Sequence, residues 1–172
     1  MYDAAQFRDT LIIPTLEKME AWGFAGANNP SAVNLIIGTA FHESLGGKYL
    51  HQVGGPALGM FQIEPDTHDD IWQNYLKYNE KRSAHILDML APMNRPDTTS
   101  WLGNVDWHRQ LITNLDYSVV MARLVYYRQN FEWPAPDDVR ALGSLWKVIY
   151  NTSLGAGSVE QFIDHFPAEI LD

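Results

Sequence analysis

The chain contains no cysteine. Disulfides, thiolate metal sites and a cysteine nucleophile are thereby excluded, and the redox compartment is left open. Positive charge is scarce as well. Lys and Arg number 12 against 21 Asp and Glu, for a formal net charge of −9, and no basic cluster interrupts that balance. No nucleic acid is expected as a partner, because phosphate binding needs a concentrated positive footprint. The acidity also gives no long-range pull toward an anionic cell wall, although net charge governs association more than chemistry. Long apolar runs are missing too. Leu35-Ile36-Ile37 is among the longest, far short of a membrane span, so no membrane insertion is expected. Met1-Tyr2-Asp3-Ala4 has neither a basic start nor an apolar run behind it, which reads as no signal peptide.

What remains is ample for a core. The 172 residues are 46% hydrophobic and 12% aromatic, with only 19% charged, which fits an ordered chain. No repeat, low-complexity tract or shift in composition divides it, so residues 1–172 read as a single domain.

The apolar spacing is mostly helical. Phe7, Leu11, Ile12, Leu16, Met19 and Trp22 predict a first helix with a kink at Pro14. Asn29-Pro30-Ser31 opens a second, which runs through Val33, Ile36, Ile37 and Ala40 to about Ser44 and stops at Gly46-Gly47. Residues 46–63 hold five glycines and a proline around short apolar pieces, a loop or small hairpin. Pro65 opens another helix, with Asp66, Asp69 and Asp70 read as first-turn charges facing the positive end of its dipole. Further helices are expected near 80–91, from Leu111 to Tyr126, and from a cap at Asp137 through Leu142, Trp146 and Ile149. Ser158-Val159-Glu160-Gln161 matches a capping box before a last short helix. The expected class is mainly α, with at most a small β-hairpin.

Chemistry concentrates in Ala40-Phe41-His42-Glu43-Ser44 and in the later Gly59-Met60-Phe61-Gln62-Ile63-Glu64-Pro65. Glu43 stands at the C-terminal end of an apolar helix, where partial desolvation and the negative end of the dipole both raise a carboxyl pKa. A carboxylic acid still protonated near neutral pH is what glycosidic cleavage requires. Gln62 offers an amide for sugar hydroxyls. Other chemistries lack their patterns. No second His follows His42-Glu43 at zinc-protease spacing, and no Gly-x-Ser-x-Gly elbow or dinucleotide loop occurs. The six histidines are scattered, and neither metal nor cofactor is expected. Trp146 and Tyr126, at helical spacing, read as core, whereas Trp101 and Trp107 in a polar stretch read as candidates for stacking on a sugar.

On these residues the chain resembles the soluble lytic transglycosylases of the lysozyme-like fold. Glu43-Ser44, then Gly59-Met60-Phe61-Gln62 with Pro65 and Thr67, stand in the places of the family's first motifs. Asn114-Leu115 with Ala122, Leu124 and Tyr126 resembles the central one, and Tyr150-Asn151 with Gly155-Ala156-Gly157-Ser158-Val159 the last. The match spans roughly residues 32–162 in the family's order. It departs at Phe61 and Ile149, at an apparent two-residue insertion within Thr152-Ser153-Leu154, and around Trp101-Leu102-Gly103, which has no counterpart.

The resemblance implies peptidoglycan glycan strands as the partner and cleavage between N-acetylmuramic acid and N-acetylglucosamine. It implies Glu43 as the single acid and base, Ser44 and Gln62 holding substrate, Tyr150 orienting Glu43, and Asn151 bracing the loop. Gly59, Met60 and Gly155 complete the expected substrate-binding set. Glu64 is the candidate second carboxylate, which would favour a hydrolytic muramidase. A non-catalytic wall-docking or virion module is the alternative outside enzymes. With no signal read, the expectation is a bacteriophage enzyme, an endolysin or virion component, acting on the cell wall in the periplasm and delivered there by lysis or with the virion. Nothing in the sequence sets an oligomeric state.

Overall fold

The structure is a computed structural model, and it describes residues 2–90, 107–151 and 155–171. Asn29 begins the helix on which the rest is assembled. Its side chain accepts the Ala32 amide at 2.8 Å, and Pro30, which has no N–H to lose, fills the first turn of α3 (Pro30–Ser44). Most of α3 is buried, including Leu35, Ile36, Ile37 and Ala40. It ends one residue before the expected glycines, with Leu45 left-handed at φ 52, followed by Gly46 and Gly47 at φ 62 and 82.

Ahead of α3 the expected kinked helix takes a more specific form. α1 (Ala4–Phe7) passes through a π turn at Arg8–Ile12 into α2 (Ile13–Ala21), with Pro14 in the first turn of α2. Pro14 cannot donate to a carbonyl four residues back, and its ring crowds that carbonyl, so the preceding turn widens.

α4 (Pro65–Asn74) and α5 (Glu80–Asp88) follow. The single helix expected over Leu111–Tyr126 is two, α6 (Trp107–Thr113) and α7 (Leu115–Tyr127). Between them the Asn114 side chain accepts the Tyr117 amide at 3.1 Å and so starts α7. Continuous apolar periodicity hid that break. α8 (Val139–Leu145) is capped by Asp138, one residue beyond the expected Asp137, and continues as a second π turn at Trp146–Asn151. α9 (Val159–His165) begins with the expected Ser158–Gln161 capping box.

The chain is therefore mainly helical. Residues 46–63 hold only isolated bridges, His51 with Leu58 and Leu58 with Ile63, and no strand ladder forms among the described residues. No helix is long and apolar enough to cross a membrane among them either.

Packing radiates from α3, which meets α7, α8 and α9. Thr39 and Tyr126 share a buried hydrogen bond of 2.7 Å between α3 and α7. On the α9 side, Gly38 leaves room for the Phe162 and Phe166 rings, into which any Cβ would run. Phe162 also packs over Gly143 of α8 and is wholly buried. Two residues without side chains thus let one aromatic ring join three helices, and burying that ring contributes roughly 2–3 kcal/mol.

Candidate active site

The C-terminal turn of α3 opens on a groove of about 460 Å³. Glu43, Gln52, Gln62, Glu64, Tyr150 and Asn151 are among its walls. Amides, carboxylates and a phenol are groups suited to sugar hydroxyls and acetamido groups.

Glu43 is largely enclosed, and burial pushes its carboxyl up from an ordinary value near 4.5 to about 7. One bond works the other way. The Trp146 indole Nε1–H donates to Glu43 Oε1 at 2.8 Å and favours the ionised form. Trp146 opens the π turn after α8 and exposes none of its surface. Phe162 stacks on it with ring centroids 5.5 Å apart, and the His42 ring lies 4.1 Å away on a tilted plane. Gly157 completes the seat, because a Cβ there would strike the indole edge. The indole is fixed on several sides, and so is the carboxylate it holds. Burial together with the neighbouring His165 lowers His42 to about 4, so this ring beside the acid is neutral at physiological pH.

Tyr150 is not the residue that orients Glu43. It lines the groove, but its hydroxyl donates to the Phe61 carbonyl at 2.8 Å and its ring stacks on Tyr126 at 5.4 Å. The helix carrying both aromatics widens into a π turn that begins at Trp146, which changes the angular phase of the residues after it, Tyr150 among them. Sequence reading placed Trp146 in the core. It is there, and no periodicity could reveal that its one polar atom meets a carboxylate 103 positions away.

Three other expected substrate contacts also turn out to be structural. Ser44 is wholly buried, donating to the Ala40 carbonyl at 3.1 Å and accepting the Gly47 amide at 2.8 Å, so it secures the end of α3. Gly59, at φ +73, lies so close to the Leu111 carbonyl of α6 that any Cβ would overlap it. Met60 is 1% exposed and belongs to the core.

The other expected residues do reach the groove. Gln62 adopts φ 47 while its Nε2 donates to the carbonyls of Gly59 at 2.7 Å and Tyr49 at 3.3 Å, which orients the amide. Asn151 and Gly155 are joined by Lys147, whose Nζ donates to Asn151 Oδ1 and to the Gly155 carbonyl, each at 2.7 Å. That bridge gives Asn151 its bracing role. The expected insertion at 152–154 and the candidate Trp101 lie outside the described residues. Glu64, exposed just ahead of α4, shares the groove with Glu43. Thr67, which the motif resemblance named without a role, also lines it, as does Gln52, which carried no sequence signal to single it out.

Away from the groove, Trp107 is 8% exposed and sits edge-on against Trp72 at 4.9 Å, a packed residue instead of a sugar platform. Of the three aspartates assigned to the first turn of α4, only Asp66 is there. Asp70 pairs with Arg128 at 2.5 Å, and Asp69 meets two histidines, His68 and His108, each at 2.9 Å. The histidines are thus not all scattered, because folding closes the 40 positions between these two.

No protein-family model, no curated protein and no solved structure matches the chain.

Proposed function

We propose that this chain is a peptidoglycan-cleaving enzyme of lysozyme-like fold, a lytic transglycosylase acting between N-acetylmuramic acid and N-acetylglucosamine. The observation that carries the reading is Glu43, a largely enclosed carboxyl raised to about 7 in a groove walled by amides. The order of the sequence motifs supports it independently.

In this scheme protonated Glu43 gives its proton to the glycosidic oxygen as the bond from muramic acid C1 breaks. The substrate's own N-acetyl group stabilises the positive charge at C1, a recognised alternative to a second enzymic carboxylate. The Glu43 carboxylate then takes the proton of the sugar's 6-hydroxyl, whose oxygen bonds to C1 and closes a 1,6-anhydro ring. Trp146 keeps the carboxyl aimed through both proton transfers.

Glu64 in the same groove favours one second reading, hydrolysis, in which water replaces the 6-hydroxyl. Mass analysis of products from purified peptidoglycan separates the two, since the anhydro product is one water lighter. The proposal expects anhydro ends with wild type and none with Glu43→Gln. Lysis by Glu43→Gln at the wild-type rate would remove Glu43 from the mechanism, and no cleavage by either protein would make the chain a binding module.

A further inference from the structure

We propose that His68, Asp69 and His108 form a binding site for a divalent transition-metal ion of the zinc class. α4 presents His68 and Asp69 in its middle, and α6 presents His108 in its first turn. Asp69 Oδ1 stands 2.9 Å from His68 Nδ1 and 2.9 Å from His108 Nε2, and all three atoms lie within 4.8 Å of one another. Two imidazole nitrogens with one carboxylate oxygen suit zinc and its neighbours, whereas magnesium and calcium prefer oxygen alone. With metal–ligand bonds of about 2.0–2.1 Å, neighbouring ligand atoms are roughly 2.9 Å apart at right angles and about 3.3 Å apart in a tetrahedron. The two spacings to Asp69 need to open by a few tenths of an ångström at most, and the two histidine nitrogens, within 4.8 Å of each other, settle onto the ion by movement of the partly exposed His108 ring.

The surroundings of His68 supply a second, independent observation. Its far nitrogen, Nε2, lies 2.7 Å from the Tyr117 hydroxyl, and that oxygen also receives the Trp72 indole N–H at 2.9 Å. A ligating histidine commonly has its outer nitrogen held by an oxygen in this way, which fixes ring orientation and tautomer. His68 is 2% exposed and so locked, while Asp69 and His108, at 40% and 38%, leave an ion a path in. Without an ion the same atoms form two hydrogen bonds to Asp69. When an ion binds, the proton of each neutral ring resides on the nitrogen turned away from the metal, and for His68 that N–H faces the Tyr117 oxygen. The ion would join α4 to α6. None of its three ligands is among the groove walls that include Glu43, so the inference stands apart from the proposed catalysis.

The test uses the full chain, first dialysed against a chelator. Calorimetric titration with zinc chloride is expected to give one saturable site, and cobalt(II) to give visible absorption bands. Zinc should raise Tm, while magnesium at equal concentration should not. His108→Ala and Asp69→Asn, at a wild-type circular dichroism spectrum, should each weaken zinc binding at least tenfold. His42→Ala serves as control for the other histidine pair and should leave binding intact. Absence of saturable zinc binding at micromolar concentration would overturn the proposal. So would binding undiminished in His108→Ala and Asp69→Asn, or binding abolished by His42→Ala.

Discussion

The Trp146 indole donates to Glu43 Oε1 at 2.8 Å across 103 positions of sequence, joining the turn after α8 to the end of α3. Burial raises the Glu43 carboxyl, while this bond stabilises its anion and draws the pKa back down. Trp146→Phe removes the donor and keeps most of the ring. The carboxyl should then titrate above about 7, moving the alkaline limb of the lysis pH profile to higher pH, while the maximal rate falls because the acid is no longer aimed. A stability loss of about 1–3 kcal/mol should accompany it. A limb that stays in place would show that the bond does not tune the acid.

Glu43→Gln tests the acid and its linkage to stability together. Gln keeps the shape and can still accept the indole bond, but it cannot serve as an acid, so lysis should fall by about two orders of magnitude or more. Because the folded-state pKa is raised, the native protein binds a proton more tightly than the unfolded chain between about pH 4.5 and 7. This contribution is fully present below that window and is lost as pH rises through it. Relative to Glu43→Gln, wild type should therefore lose stability over that range by an amount on the order of 3 kcal/mol, while the opposite slope from His42, lowered to about 4, is common to both proteins and cancels in the difference. Urea denaturation at several pH values measures both curves.

Tyr150→Phe separates groove architecture from acid positioning. The lost hydroxyl bonds the Phe61 carbonyl, not Glu43, so stability should fall by roughly 1 kcal/mol while the alkaline limb of the pH profile stays where it is. Movement of that limb as large as that of Trp146→Phe would return Tyr150 to the role the sequence suggested.

Gly59→Ala probes a contact that has no bearing on substrate. A Cβ would overlap the Leu111 carbonyl, and alanine resists a φ of +73, so stability should drop by more than about 2 kcal/mol. Where the variant is still folded, at low temperature, its activity per folded molecule should approach wild type. Lost activity at full stability would instead place Gly59 in the substrate site.

Helix boundaries were the most legible part of this chain. The Asn29 cap, the Ser158–Gln161 box and the proline starts of α3 and α4 act within a single turn, and local order in the sequence carries them. Glu43 was legible for the same reason. An acid near the end of an apolar helix is a local pattern, although how far its pKa rises depends on what covers it. Less was visible where the helical phase changes. The widened turns at Arg8–Ile12 and Trp146–Asn151 shift the faces of their helices, and an even apolar spacing hides that shift.

By itself the sequence determined a mainly helical chain with its acid at the end of α3, because propensity, caps and apolar spacing act over a few neighbouring residues. Only the tertiary structure decided which side chains meet that acid. Trp146 reaches it because Gly38 and Gly143 admit Phe162, Phe162 stacks on the indole, and Gly157 leaves the indole its space. Likewise Ser44, Gly59 and Met60 adjoin the groove residues in sequence but are packed behind its walls. These outcomes depend on close packing between segments far apart in the chain, where a single missing Cβ fixes which ring fits, and no local pattern encodes that.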